Sequence, residues 1–277
     1  MLKLLSSLAV LLSPAVHAAP AYPPVAPGVS FDAVLALPVG QPAERLSYGA
    51  SPQQFAELWL PAGDTAAPVV VFIHGGCWLN AFGIDHSRPL ATALAQAGYA
   101  VLSLEYRRLG DPGGGWPGSL DDVRASLALL DEAVPGRLDR QRVVLAGHSA
   151  GGHLALLLGS EIAARPQPGF RLRGVLGLAP IVDLETYAAG SGSCNRAGAR
   201  FIDGLAPEQR LAANPAYHPA HPGTIILLGQ DDAIVPYQLP TVHPHRLVGE
   251  PAGHFDWIHP GSPAWSRALG ELERLVK

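Results

Sequence analysis

One pentapeptide constrains this chain more than any other feature. Residues 147–151 read Gly-His-Ser-Ala-Gly, and they follow a mostly apolar run over 142–146 that has the composition of a buried strand. A helical pattern continues from the pentapeptide over 151–164. A strand, a G-x-S-x-G turn and a helix in this order are typical of a sharp turn that exposes the serine hydroxyl at the edge of a sheet. Ser149 is therefore the candidate nucleophile.

A second glycine-containing turn follows another buried-strand pattern. Residues 68–73 read Pro-Val-Val-Val-Phe-Ile and run into His-Gly-Gly-Cys-Trp at 74–78. Glycines at such a turn let backbone N–H groups approach a substrate oxygen closely, so the sequence predicts an oxyanion hole. Its expected donors are the N–H groups of Gly76, Cys77 and Ala150, the last being the residue after the candidate nucleophile.

The other two members of a Ser-His-Asp triad are expected downstream of the serine. The strand pattern over 224–228 runs into two adjacent carboxylates, Asp231 and Asp232. Asp232 is the predicted acid because it begins an Asp-x-x-Val-Pro sequence, and Asp231 is the alternative. His254 is the predicted base, which takes the serine proton while the acid orients its ring. Asp256 lies too close to His254 in sequence to be preferred as that acid.

Strand and helix patterns alternate along the rest of the chain. Further strands are predicted over 98–104 and 173–179, and further helices over 87–97, 120–133 and 262–276. Hydrophobic residues make up 48% of the chain and charged residues 15%, which suits a sheet that is buried on both faces. The alternation predicts an α/β fold with a mostly parallel central sheet and helices on both faces.

The N-terminal region has the layout of an exported protein. Residues 1–18 combine a positive start, an apolar run over 4–12 and small residues before a cut, which predicts a secretory signal peptide. The apolar run is too short to span a bilayer, so no stable membrane anchor is expected. Residues 19–44 are predicted to be an irregular lead-in, and residues 45–277 a single domain.

Charge and motif spacing argue against several classes of ligand. The formal net charge is −4 and the sequence shows no basic cluster, so nucleic-acid binding is not expected. His243 and His245 have no Cys or Glu partner at zinc-site spacing, and we expect neither a metal nor a cofactor. Arg107 is expected to form an ion pair with Asp121 or Asp122, in preference to binding an anionic substrate.

Four motifs together carry a family resemblance. They read HGGCW, GHSAGGHLA, DDAIVP and GHFD, in this order. The set resembles the α/β-hydrolase superfamily and, within it, the esterase branch related to hormone-sensitive lipase and kynurenine formamidase. Residues 48–61 are also similar to the opening strand of formamidase-like members. The resemblance covers residues 45–277 and implies the α/β-hydrolase fold.

The same resemblance implies a function. Ser149 would attack an ester carbonyl to form an acyl-enzyme, with His254 as base and Asp232 as its orienter. The segment 180–223 is expected to be a short cap, which favours small or short-acyl esters. An amidase of the arylformamidase type and a non-catalytic binding protein of the same fold are the alternatives. The sequence leaves the oligomeric state open.

Cys77 departs from the family pattern, and together with Cys194 it could form a disulfide. The loop reads HGGC where lipase-like members read HGGG, and formamidases have an aromatic residue at the Cys77 position. The resemblance therefore does not settle which residue is the third oxyanion donor or which residues form the acyl pocket. An oxidising compartment would permit a bond from Cys77 to Cys194, which would tie the oxyanion loop to the cap. Trp78 and Trp116 are expected either to line the pocket or to pack.

Overall fold

In the described part of the chain eight strands form one sheet, and most neighbouring strands in it run parallel. The computed structural model describes residues 19–167, 169–237 and 246–277, so the predicted signal peptide over 1–18 and the pair His243 and His245 lie outside the described residues. The strands are β1 (Glu44–Ser47), β2 (Phe55–Trp59), β3 (Ala67–Ile73), β4 (Ala100–Leu104), β5 (Leu138–His148), β6 (Leu172–Leu178), β7 (Thr224–Gly229) and β8 (Arg246–Glu250). Their order across the sheet is β1-β2-β4-β3-β5-β6-β7-β8. Only the pairs β1–β2 and β2–β4 are antiparallel. The predicted α/β sheet is confirmed.

Helices cover both faces of this sheet. They are α1 (Phe31–Leu35), α2 (Arg88–Gln96), α3 (Gly118–Ser126), α4 (Leu129–Glu132), α5 (Ala150–Ala164), α6 (Leu184–Ala188), α7 (Ser193–Phe201), α8 (Pro207–Ala213) and α9 (Pro263–Val276). Short 3₁₀ turns occupy Ile84–Ser87, Pro215–Tyr217 and Asp256–Ile258. Within the described ranges, every helix is too short or too polar to cross a bilayer.

Strand β3 shows why the apolar runs in the sequence are continuous. Val69, Val71 and Ile73 pack in one core with α3, α4 and α5. Val70 and Phe72 point to the other face, where they pack with α2 and α9. Successive side chains of a strand point to opposite faces of the sheet. When both faces are buried, both sets of side chains are apolar, and the sequence shows a continuous apolar run and not an alternation of polar and apolar residues.

Two elements differ from the sequence prediction. The helix predicted over 120–133 is divided into α3 and α4, because Leu127 and Ala128 donate to carbonyls three residues back and so tighten the chain into a 3₁₀-like turn. The lead-in over 19–44 is not wholly irregular, since it contains α1. Ser30 caps this helix by accepting from the Ala33 N–H at 3.1 Å.

The segment predicted as a cap, 180–223, contains α6, α7 and α8. Its apolar side chains form a third, smaller core above the carboxyl ends of β5, β6 and β7. The buried members are Trp78, Ala150, Ile181, Leu184, Tyr187, Phe201, Ile202, Ala213 and Val235. Because Trp78 and Ala150 belong to the two glycine-containing turns, the cap packs directly against the predicted site.

Candidate active site

Ser149 occupies a strained turn between β5 and α5. Its backbone has φ 55° and ψ −120°, a conformation that costs a non-glycine residue on the order of 1–3 kcal/mol. The Ser149 N–H donates to the Leu178 carbonyl at 2.9 Å, which fixes the turn against β6. Gly151 is required by close packing, because a Cβ there would lie 2.1 Å from the carbonyl oxygen of Ile73. The predicted strand, turn and helix are all present.

The loop after β3 places three successive residues in the left-handed region. Gly76, Cys77 and Trp78 have φ values of 108°, 54° and 56°. The Leu79 N–H donates to the Gly76 carbonyl at 2.9 Å and closes this turn. Among the described residues, the N–H groups of Gly76, Cys77 and Ala150 donate no hydrogen bond. The three predicted oxyanion donors are therefore free to bind an oxygen atom.

A disulfide ties this loop to the cap. Cys77 is bonded to Cys194 in the first turn of α7, with the two Cα atoms 5.4 Å apart. Next to it, the indole of Trp78 stacks on the ring of Phe201 at a centroid distance of 4.9 Å. Trp78 is fully buried, which agrees with packing, one of the two roles expected for it. Trp116 is half-buried and contacts Phe201 edge-on at 6.4 Å.

Of the three nearby carboxylates, only Asp232 is bonded to His254. The Oδ2 atom of Asp232 lies 2.7 Å from Nδ1 of His254. The other oxygen accepts from two backbone N–H groups, those of Ile234 and Val235, both at 2.8 Å. Both side chains of the pair are buried. This arrangement fixes the carboxylate and orients the imidazole so that Nε2 is the free ring nitrogen.

The two other carboxylates have different surroundings. Asp231 is exposed at the end of β7. Asp256 is buried and accepts from the N–H groups of Gly28, at 2.9 Å, and Gly253, at 2.5 Å. It therefore joins the lead-in to the loop that carries His254.

The contact between nucleophile and base is open in this structure. No hydrogen bond joins the Ser149 hydroxyl to the His254 imidazole in the described part of the chain. The two residues nevertheless follow β5 and β8 at the same, carboxyl edge of the parallel sheet. In ligand-free sites of this kind the bond is often long and tightens only when substrate binds.

His148 supports His254 from the strand side. Its Nε2–H donates to the backbone carbonyl of His254 at 3.0 Å, and the two rings lie 4.6 Å apart. Burial holds the pKa of His148 well below its ordinary value, and the adjacent His254 lowers it further. The lowered pKa favours the neutral form of His148, and its hydrogen bond holds the backbone of His254 in place.

A buried ion network lies under the oxyanion loop. Nε2 of His74 is 2.9 Å from Glu105, whose carboxylate also pairs with Arg108 at 3.1 Å. The Tyr106 hydroxyl donates to the His74 carbonyl at 2.9 Å. Burial raises the pKa of Glu105, but His74 and Arg108 outweigh it, and the net shift is downward. Glu105 was not among the predicted site residues, because its signal in the sequence is no more than a carboxylate at the end of an apolar strand pattern.

Arg107 is held by a carboxylate and is not available to a substrate. Its Nη2 lies 2.5 Å from Oδ1 of Asp122, which also accepts from the amide of Gln54 at 2.7 Å. Asp121, the alternative partner, instead pairs with Arg124. No group of three or more His, Cys, Asp or Glu side chains within residues 19–167, 169–237 and 246–277 is placed to hold a metal ion.

A cavity of about 530 Å³ lies between the cap and the loop that carries the acid. Tyr187, Val182, Ala233 and Val235 are among its lining residues. Burial raises the pKa of the Tyr187 hydroxyl, and the charge of Asp232 raises it further. The cavity reaches Ala233, the residue after Asp232, and its walls combine apolar side chains with polar ones such as Asp183 and Asn195.

The sheet order, the strained serine turn and the acid–base pair at the carboxyl edge define the α/β-hydrolase fold. The chain belongs to the BD-FAE family, which it matches over residues 57–242, more than half of its length.

Individual relatives agree with this assignment. Esterase LipC of Mycobacterium tuberculosis is 33% identical over 120 residues, but the match covers 42% of this chain and only 29% of LipC. An acetyl-hydrolase of Streptomyces hygroscopicus is 26% identical over 273 residues, covering 81% of this chain and 86% of that protein. The structure of esterase B from Lactobacillus rhamnosis superposes with a TM-score of 0.69 at 24% identity, covering 88% and 90% of the two chains. That superposition shows the shared fold.

Proposed function

We propose that this protein is a serine hydrolase that cleaves carboxylic esters through an acyl-enzyme. The observation that carries the proposal is the 2.7 Å bond from Asp232 to His254 at the sheet edge where Ser149 sits in a strained turn. His254 takes the proton of Ser149 as the hydroxyl attacks the ester carbonyl, and Asp232 stabilises the imidazolium. The proton then passes to the leaving alcohol. A water molecule next gives a proton to His254 and attacks the acyl-enzyme carbonyl, and the bond to the Ser149 oxygen breaks as that oxygen takes the proton back and the acid is released.

The free N–H groups of Gly76, Cys77 and Ala150 hold the tetrahedral oxyanion in this mechanism. Backbone hydrogen bonds close both turns that carry them, and donors placed in advance in this way need little rearrangement as charge develops on the oxygen. Removing one such donor typically costs about 2.7–4 kcal/mol of transition-state stabilisation. No cofactor is required for these steps.

Small or short-acyl esters are the proposed substrates. The cap is built from three short helices, too little chain for a large lid domain, so we expect a fairly open pocket that suits small or short-acyl esters. The cavity of about 530 Å³ beside the acid is of a size that suits a small molecule. The long match to a protein named acetyl-hydrolase supports the same choice.

Replacement of the nucleophile tests the mechanism. Ser149→Ala should lower the turnover of p-nitrophenyl acetate by a factor on the order of 10⁶, while Ser266→Ala, an exposed serine of α9, should retain it. A serine-directed phosphonate should label the wild type once and the Ser149→Ala variant not at all. Hydrolysis by a folded Ser149→Ala variant would overturn the proposal, and faster cleavage of an aryl formamide than of the acetate would favour the amidase alternative.

We further propose that the protein is exported. The disulfide between Cys77 and Cys194 supports this, because such bonds persist in oxidising compartments. The sequence pattern over 1–18 supports it independently. In a secreting host the mature chain should begin at Ala19 by mass spectrometry, and deletion of residues 2–18 should retain it in the cytoplasm. An unprocessed chain found only in the cytoplasm would contradict export.

A further inference from the structure

A second cavity opens at the end of the sheet opposite to the proposed site. Its volume is about 560 Å³, and its lining includes four arginines and a histidine: Arg171, Arg173, Arg246, Arg274 and His221. These residues come from the starts of β6, β7 and β8 and from the last turn of α9. A seven-residue strand such as β6 is about 20 Å long, so this cavity and Ser149 lie well apart.

The positive charge of this cavity is not neutralised by the protein. Arg246 and Arg274 share one buried carboxylate, Glu271, at 3.0 and 3.5 Å. Arg171 and Arg173 have no carboxylate partner in the described residues. Every Asp and Glu of the chain lies within those residues, because the sequence has none at 1–18, 168 or 238–245. Four arginines therefore line the cavity, and within the described residues Glu271 is the one carboxylate that forms a salt bridge with any of them, in a chain whose net charge is −4.

The polar groups of the cavity are arranged to donate. Nε of Arg173 is anchored on the Leu275 carbonyl at 3.2 Å, which leaves its two terminal nitrogens for a ligand. Nδ1 of His221 accepts from the Gly223 N–H at 3.0 Å, so the proton of the neutral ring is on Nε2. Burial also lowers the pKa of His221. A neutral donor thus accompanies the arginines, and an acceptor-rich anion is the complementary ligand.

We propose that this cavity binds a ligand that carries two or more phosphate groups. Guanidinium groups match phosphate oxygens in a bidentate geometry, and several of them around one cavity favour more than one phosphate. The volume lies in the range of small-molecule sites. A soluble polyphosphate and the headgroup of a multiply phosphorylated lipid share this chemistry. The proposal is independent of ester hydrolysis, since no residue of the cavity belongs to the other site.

Titration with tripolyphosphate at 150 mM salt, followed by calorimetry, tests the proposal. The wild type should bind saturably with one site per chain, and Arg171→Ala/Arg274→Ala should weaken binding by at least tenfold. Both arginines are exposed, so the variant is expected to fold. Arg45→Ala/Arg124→Ala makes the same change in net charge far from the cavity, and it should bind as the wild type does.

Two further measurements distinguish a soluble polyphosphate from a lipid headgroup as the ligand and check that the variants stay folded and active. Vesicles of a neutral lipid with and without a bisphosphorylated lipid show whether the headgroup is bound in preference to soluble tripolyphosphate. Hydrolysis of p-nitrophenyl acetate and the unfolding midpoint of each variant should match the wild type. Absence of saturable binding to both soluble and lipid phosphates would overturn the proposal, as would equal weakening in the two double variants.

Discussion

Reduction of the disulfide between Cys77 and Cys194 should lower stability by a calculable amount. The bond closes a loop with a sequence separation of 117 residues. In the chain-entropy model a loop of this length restricts the unfolded chain by about 5 kcal/mol at 25 °C, which is an upper value because reduced chains retain some structure. With an m-value of about 3 kcal/mol per molar urea, the unfolding midpoint should fall by up to about 1.5 M.

The same reduction should slow catalysis without abolishing it. Cys77 supplies one of the proposed oxyanion donors and holds a φ of 54°, a conformation that its bond to α7 helps to maintain. The stack of Trp78 on Phe201 does not depend on the sulfur atoms, so we expect the loop to loosen but not to unfold. Full loss of one donor lowers kcat by about 10²–10³. We therefore expect a fall of about tenfold to a hundredfold in kcat, with a smaller change in KM.

The assay compares one sequence in two oxidation states. Urea unfolding and p-nitrophenyl acetate kinetics are measured on the oxidised protein and after treatment with a phosphine reductant, with thiols counted under denaturing conditions. Cys77→Ala/Cys194→Ala is the control, since the reductant should leave its midpoint and its kcat unchanged. If the reduced protein shows two titratable thiols yet keeps the midpoint and the kcat of the oxidised form, the reasoning is refuted.

The remaining predictions concern the acid, the packing of the serine turn and the response to pH. Asp232→Asn should lower kcat on p-nitrophenyl acetate by about 10⁴, because it favours the wrong imidazole tautomer, whereas Asp231→Asn should stay near the wild type. Gly151→Ala should prevent folding or lower the urea midpoint strongly, because the added Cβ has no room. Gly270→Ala in α9 adds a Cβ that meets no atom within 4 Å, so it should raise the free energy of unfolding by about 0.5–1 kcal/mol. Burial lowers the pKa of His153 from 6.5 to about 4 in the folded protein. As the pH falls, the unfolded chain therefore binds a proton at this residue before the folded protein does. The free energy of unfolding should decrease from pH 6.5 down to about pH 4 for this reason. Urea unfolding at pH 7 and pH 5 should show that His153→Gln, which keeps a donor to the same carbonyl, reduces this loss by about 2 kcal/mol.

The sequence carries most of the site because its parts are local. The turn at Ser149 needs a strand, two glycines and a helix in consecutive positions, and all of them can be identified without tertiary information. The order of the triad along the chain then limits the search for Asp232 and His254 to the ends of later strands. The spacing Asp-x-x-Val-Pro favoured Asp232, and the coordinates add the bonding partners that separate it from Asp231 and Asp256.

The parts that the sequence missed depend on contacts between distant segments. Glu105 meets His74 across two strands, and His148 meets the carbonyl of His254 across the sheet edge. Neither pairing has a spacing that could mark it along the chain. For Trp78 the sequence left both pocket lining and packing open, because its burial against Phe201 depends on the distant segment that contains α7. The break between α3 and α4 could not be predicted from the sequence either, because both helices keep the same apolar helical pattern.

The arginine cavity shows the same principle at the other end of the sheet. Its arginines are spread over more than a hundred positions, from Arg171 to Arg274, so the sequence shows no basic cluster. Parallel strands start at one edge of the sheet and end at the other. The arginines near the starts of β6 and β8 therefore lie at one edge, and Ser149, Asp232 and His254, which follow the ends of β5, β7 and β8, lie at the other. Because β6, β7 and β8 separate the two edges, a phosphorylated ligand bound at one leaves the other open, and binding and hydrolysis can be altered independently by substitution.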